Sequence, residues 1–484
     1  MQAERYIAAA DIGTSKIALS VAKIEGDDVQ LIYYKETRSE GVRYSSVFAP
    51  QRTATALKAA VTEAEEELKI KILQLVVGLP RYYVTQVAGS AGMKRSNPDS
   101  CITREEINNL KSMAIDSYTL DDEVKDEIYG AVAQSFSADT DITGASESDI
   151  IGVPGETLEG NFKIFIGAKR PVRNIDVMLN EMGVALARKV FSPNAAAQAV
   201  LTEAEKENGV ALVEIGAGVT SVTIYRGRLL RHYSSIPFGG RSITNDIKSE
   251  CGFTEALAEN IKLAFGACLP DKLQNLSDKI IQINDNENGS YEQLSVKYLS
   301  QIITCRVREI LEAVLYQIQQ SGYADQLRNG VVITGGGAML VNMCQMLKEM
   351  SGYTVRIGYP RTQVFSSGGC PGATEPSASA SIGMILEARR DIHLNCIEES
   401  ATALQEGQDG AGESQTPDDG PVIPDGKTEA TLFKEEDIIT PSGNKTSKDH
   451  GGKVTWFGKQ KKKINDVFER AFDNTVGNLF DSME

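Results

Sequence analysis

Along the first 397 residues, short apolar runs with period-two alternation give way repeatedly to segments with helical spacing, the pattern of an α/β protein. Ile7-Ala-Ala-Ala-Asp-Ile-Gly-Thr14 reads as a buried strand ending in a glycine turn, with a second strand at Lys16–Ile24. Val210-Ala-Leu-Val-Glu-Ile-Gly-Ala-Gly218 repeats that layout and leads into a strand at Ser221–Tyr225. A third apolar run, Gly330–Thr334, ends in Gly335-Gly336-Gly337 and enters a helix that runs to about Met350. Apolar strand, acid, glycine turn and strand, occurring twice, predict an internally duplicated α/β unit. Ser100–Glu106 carries a helix start, with Thr103 as N-cap and Glu106 completing a capping box.

The pattern changes near residue 397. From Ile397 to Gly452 the chain is acidic and rich in Gly, Pro, Ser and Thr, as in EGQDGAGESQTPDDGPVIPDG over 406–426. Such a segment buries too little apolar surface to offset its ordering entropy, so a disordered linker is expected. The following tail, 453–484, differs again. Ile464, Val467, Phe468, Ala471, Phe472, Val476, Leu479 and Phe480 fall on one helical stripe, preceded by Trp456, Phe457, Lys459, Lys461, Lys462 and Lys463. Aromatics and a basic cluster beside an amphipathic helix suit an anionic lipid surface, while the acids at Asp466, Glu469, Asp473 and Asp481 are what would suit a helix packed on protein instead.

Charge and cysteine usage narrow the function. A net charge of −16 argues against nucleic acid as the principal partner, since phosphate contacts need basic surface. Seven scattered cysteines without a CxxC pair suit a reducing compartment, and the three histidines are too dispersed for a zinc site. No signal-peptide core and no run of roughly 20 apolar residues is present, so any membrane contact is expected to be peripheral.

The glycine turns carry the candidate chemistry. Glycine lets backbone N–H groups approach phosphate oxygens, while Asp11 can hold Mg²⁺, and Thr14, Ser15 and Lys16 add donors and a cation. This set resembles the phosphate-1, phosphate-2 and adenosine motifs of the actin, DnaK-chaperone and hexokinase superfamily. The resemblance implies ATP bound by Asp11, Gly13, Thr14, Ser15 and Lys16, by Gly216, Ala217 and Gly218, and by Gly335, Gly336 and Gly337. It implies Mg²⁺ held by Asp11 and Glu214, through water. Ala258-Glu259-Asn260-Ile261-Lys262 is similar to the helix whose Glu and Lys flank the adenosine, giving Glu259 and Lys262; Gln198 resembles the glutamine that orients water in actin.

Ile236–Ile247, Thr334–Met339 and Val355–Gly358 further resemble stretches of the FtsA family, the bacterial actin-like cell-division proteins. That resemblance implies duplicated actin-like (ribonuclease H-like) domains around an ATP cleft: domain IA over 1–84 and 168–208, an SHS2/1C subdomain over 85–167 and domain II (IIA/IIB) over 209–396. A disordered linker follows over 397–452 and a membrane-targeting tail over 453–484. It also implies a polymer that anchors the tubulin-like FtsZ to the cytoplasmic face of the inner membrane at the division site and recruits later divisome proteins. A pilus-assembly homologue of the PilM type and an active ATPase or kinase are the alternatives. Glu214 stands where the superfamily usually has Asp, and Val219 where it has Thr, so ATP binding is expected with hydrolysis weak or absent.

Overall fold

The computed structural model describes residues 4–273, 279–285 and 290–398, with Ile438 and Ile439. The linker and the tail, including every membrane-contact residue named above, lie outside the described residues apart from 397–398 and 438–439.

Two five-stranded sheets share one connectivity. The first contains, in chain order, Arg5–Ile12, Lys16–Glu25, Asp28–Arg38, Gln74–Gly78 and Ala185–Val190; the second contains Val210–Ile215, Thr220–Arg226, Leu229–Ile236, Val331–Thr334 and Val355–Ile357. In each, the spatial order is third, second, first, fourth, fifth. Strands one to three are an antiparallel meander, and the fourth and fifth add in parallel beside the first. The duplication predicted from two glycine turns thus extends to the whole sheet. Val210–Ile215 is buried along its full length, which explains why, Glu214 apart, it reads as an apolar run rather than an alternating one.

Between the fourth and fifth strands of the first sheet, the chain inserts a separate four-stranded antiparallel sheet in the order Val84–Lys94, Thr157–Ala168, Asp126–Ala138, Ile142–Ala145. Its core is its own: Ile107, Leu110 and Ala114 of the helix Arg104–Asp116 are buried with Phe136, Leu158, Phe162 and Ile164. The capping box that starts this helix is present, with Glu106 N–H donating to Thr103 Oγ1 at 3.2 Å and Thr103 N–H to Glu106 Oε2 at 2.8 Å. Thr103→Ala is expected to cost about 1 kcal/mol of stability. Hydrogen exchange should show that loss concentrated in the first turn of this helix.

This inserted sheet docks on the strand Leu229–Ile236 through polar contacts. Gln134 Nε2 donates to the Leu230 carbonyl at 2.8 Å, and Gln86 Nε2 lies 2.8 Å from His232 Nδ1. Burial, reinforced by the nearby Lys163 ammonium, pushes His232 down to about 4. The unfolded imidazole, with its ordinary value near 6.5, therefore binds its proton first as pH falls. Stability is full above pH 6.5 and is lost as pH falls toward 4, by about 2 kcal/mol at pH 5. Denaturant titrations at pH 7 and pH 5 should show this difference shrink in His232→Gln.

The last part of the described chain departs from the expected domain boundary. Domain II is expected to run to residue 396, but Phe365, Ala373 and the helix Ser379–Ala388 with Leu394 and Cys396 pack into the core built on the first five-stranded sheet. Arg5–Ile12 accepts them directly, with Cys396 N–H bonded to the Tyr6 carbonyl at 2.7 Å. The helix Ser379–Ala388 crosses the connecting helix Ser192–Val200 at close range, because small residues face each other there. A Cβ on Gly383 would stand 2.1 Å from the Ala195 carbonyl oxygen.

Candidate nucleotide cleft

Both hairpin turns close in the same way. Gly13 N–H donates to the Lys16 carbonyl at 2.9 Å, and Gly216 N–H to the Val219 carbonyl at 2.9 Å. A Cβ at either glycine would press on that carbonyl, at 2.7 Å for Gly13 and 2.9 Å for Gly216. The two turns also meet each other. A Cβ on Gly218 would lie 2.7 Å from Thr14 Oγ1, so the second turn needs glycine to come this near the first. Thr14 is fixed in place by the Ser45 N–H, which donates to its Oγ1 at 3.0 Å.

The remaining glycines build outward from the second turn. Gly335 N–H bonds the Pro376 carbonyl at 3.1 Å, and its positive φ of 86° places it against Ile215 of the second hairpin. Gly337 packs on the Ile215 side chain, while the space above Gly336 is open. On the other flank, Gly240 N–H donates to the Gly216 carbonyl at 2.9 Å and Arg241 N–H to the Ala217 carbonyl at 2.8 Å. Gly239 is forced by the same approach, since a Cβ there would be 2.3 Å from the Gly216 oxygen. Lys262 Nζ then reaches Gly240 O at 3.1 Å, Thr244 Oγ1 at 2.9 Å and Glu259 Oε2 at 2.8 Å. Burial lowers the Lys262 pKa, with Glu259 acting against that shift.

The structure therefore brings Asp11, Gly13, Thr14, Glu214, Gly216, Ala217, Gly218, Glu259, Lys262 and the three glycines at 335–337 into one connected region. Two expected members, Lys16 and Gln198, have their side chains engaged elsewhere, and Ser15 is held through its backbone. Lys16 pairs with Glu36, which also accepts from Tyr34 Oη at 2.6 Å and Ser377 Oγ at 3.1 Å. Ser15 contributes its carbonyl to the Ser39 N–H at 3.0 Å. Gln198, the expected water-orienting residue, sits at the far end of the connecting helix, where its amide contacts Glu387 and accepts from Arg390 Nη2 at 3.2 Å. The start of this helix, at Ser192, lies across Gly78 from Asp11. A Cβ on Gly78 would lie 2.3 Å from Ser192 Oγ and 3.7 Å from Asp11 Oδ1. Ser192 Oγ is buried and lacks a hydrogen-bond partner.

Sequence reading also missed Arg81, four residues past the apolar core of the strand Gln74–Gly78. Its guanidinium lies between the two acids: Nη2 donates to Asp11 Oδ1 at 3.0 Å and Nη1 to Glu214 Oε1. The backbone beneath it is held by Tyr233 Oη, which donates to the Arg81 carbonyl at 2.5 Å. Burial opposes the Arg81 charge, and the Glu214 and Asp11 carboxylates outweigh it, so the guanidinium is raised above its ordinary value. Burial pushes Glu214 up, against the pull of Arg81.

Fit to the implied ligands separates into two parts. The glycine turns suit phosphate groups, because their backbone can be approached without a Cβ. The acid pair does not suit Mg²⁺ as it stands, because Arg81 holds an oxygen of each carboxylate. Among the described residues, no cluster of three His, Cys, Asp or Glu side chains could hold a metal ion, and no helix is long and apolar enough to cross a membrane.

Two lobes of identical connectivity, joined by a helix and facing each other across paired glycine hairpins, make this an actin-like protein. A solved structure described as the PilM-PilN type IV pilus biogenesis complex shares the fold at a TM-score of 0.55, 15% identity and coverage of 80% of this chain and 98% of that one. Residues 211–383 match the family model for cell division protein FtsA. The cell division protein FtsA of Neisseria meningitidis serogroup B is 30% identical over 413 residues, covering 85% of this chain and 96% of that protein. That of Streptococcus pneumoniae serotype 2 is 28% identical over 361 residues, covering 74% and 77%. The chain belongs to the FtsA family and is an actin-like cell-division protein.

Proposed function

We propose that the cleft binds ATP, that the protein polymerises, and that it holds FtsZ at the cytoplasmic face of the inner membrane at the division site. The observation that supports nucleotide binding most strongly is the contact of the two hairpin turns at Gly218 and Thr14, one from each lobe. A phosphate group held by both turns favours one arrangement of the lobes over others. ATP thereby acts as an assembly ligand, since a ligand shifts a conformational equilibrium through its differential affinity for the two states.

Turnover is not favoured by these residues. Gln198 is engaged with Glu387 at the far end of its helix, away from Asp11. Glu214 is already committed to Arg81. Displacements on the order of 1 Å at such a centre cost about a hundredfold in rate. The basic, amphipathic composition of 453–484 supports a peripheral anchor, with the linker giving it reach to a lipid surface.

Vesicle co-sedimentation with and without ATP, in the presence of FtsZ, tests these elements together. The full chain is expected to carry FtsZ to anionic vesicles and to form assemblies that require ATP. Failure of vesicles to recruit the full chain would remove the anchoring role.

A further inference from the structure

The acids of the cleft come one from each lobe, and the group that joins them is a buried arginine side chain. Asp11 ends the first hairpin strand of one lobe, and Glu214 occupies the corresponding strand of the other. Arg81 is 8% exposed, Glu214 is 6% exposed, and the guanidinium joins the two carboxylates through different nitrogens. We infer that Arg81 is the resident cation of this cleft, standing where a divalent ion would bridge the two acids, so that a nucleoside triphosphate is bound here without a metal ion.

Three features carry this inference, which rests on the nucleotide reading above. First, an arginine is always protonated and its planar fork can serve two oxygen acceptors at once, whereas a bound ion must be recruited from solution. Second, Mg²⁺ dehydrates reluctantly and is usually held by one or two carboxylates plus phosphate oxygens; both carboxylates here have an oxygen already engaged. Releasing them would leave a buried guanidinium without partners, which is strongly unfavourable. Third, the arrangement is anchored from outside the trio. Tyr233 of the second lobe holds the Arg81 carbonyl, and Leu79 N–H is bonded to the Val190 carbonyl at 2.8 Å. The arginine is therefore placed by both lobes and also ties them together across the cleft.

One buried oxygen of Glu214 and the Arg81 Nε–H lack partners, so the trio leaves one donor and one acceptor unsatisfied. Arg81→Met keeps the bulk of the side chain and removes the charge. In that variant the two acids would face each other with nothing between them, and a divalent ion becomes the natural replacement.

Binding of a fluorescent ATP analogue to the full chain, in EDTA and in excess Mg²⁺, tests this directly. The wild type is expected to bind with affinities within about threefold of each other in the two buffers. Arg81→Met is expected to weaken at least about tenfold in EDTA and to recover with Mg²⁺, in line with the size of effects around metal sites. Mn²⁺ titration of the nucleotide-free proteins, followed by electron paramagnetic resonance, should show one bound ion in Arg81→Met and none in the wild type. A wild type that binds the analogue only with Mg²⁺, or that takes up one Mn²⁺ as tightly as the variant, overturns the inference and leaves nucleotide binding intact. Absence of binding in both buffers overturns the nucleotide reading and this inference with it. If Arg81→Met does not fold, the wild-type comparison of EDTA with Mg²⁺ decides alone.

Discussion

Gly335→Ala is expected to destabilise the second lobe by about 3 kcal/mol and, by displacing the second hairpin, to lower nucleotide affinity. Gly335 has φ 86° and ψ 168°, a backbone region essentially closed to residues with a Cβ. Strain is not the only cost, because the added Cβ would stand 2.6 Å from the Ile215 carbonyl oxygen. Both objections are to backbone, so no side-chain rotation relieves them. Ile215 directly precedes Gly216, and any retreat of the second hairpin is passed to the turn that faces Thr14. Gly336→Ala is the matched control. Its Cβ would meet nothing within 4 Å, so stability should stay within about 0.5 kcal/mol of wild type. Thermal denaturation and ATP titration of the pair separate the two glycines.

The second large effect concerns the tail. Removal of residues 453–484 is expected to leave the protein in the supernatant when anionic vesicles are sedimented. Replacing Lys461, Lys462 and Lys463 together by Gln should weaken vesicle affinity by about a hundredfold, at about 1 kcal/mol per basic residue near the surface. The remaining binding should depend less on salt, because the screened electrostatic component is the part removed. An intact protein and a 1–452 truncation that sediment equally well would show that the amphipathic stripe serves a protein contact instead.

What could be read in the sequence, and what could not, follows from the range of the interactions involved. Strand, acid and glycine turn are contiguous, so Ile7–Thr14 and Val210–Gly218 announced both hairpins, and Thr103 with Glu106 announced a helix start. The triple glycine after Gly330–Thr334 was readable for the same reason. Arg81 was not, because its partners are 70 residues before it and 133 after it, and only the folded chain brings them to one guanidinium. The sequence Ala195-Ala196-Ala197-Gln198 identifies a buried helix but not its rotation about its own axis. That rotation is set by the crossing with Ser379–Ala388, which turns Gln198 toward Glu387 and leaves Ser192 across Gly78 from Asp11. The same helix explains the displaced domain boundary. Ser379–Ala388 is buried on nearly all sides, and such a segment shows that it lies inside without showing in which core.

The glycines singled out by the resemblance are gathered into one region, whereas two of the charged positions are engaged by other side chains. Lys16 matches a motif position, yet Glu36 on the third strand of its own sheet captures it. Glu214 was recognised as a departure from the usual Asp. Its longer side chain is what the arginine takes hold of, an arrangement visible only once Arg81 is placed.

Under the proposed function, the two lobes close on one nucleotide through the contact between Gly218 and Thr14. Calorimetric titration of the full chain with ATP, beside the Gly218→Val variant, tests it most directly. Valine there would drive its side chain into Thr14, a side chain of the opposing lobe, and hold the turns apart while each lobe keeps its own fold. One ATP per chain is expected for the wild type and binding at least about tenfold weaker for Gly218→Val, because preorganisation of the site is removed. No ATP binding by the folded wild type, or equal binding by the two proteins, would contradict it.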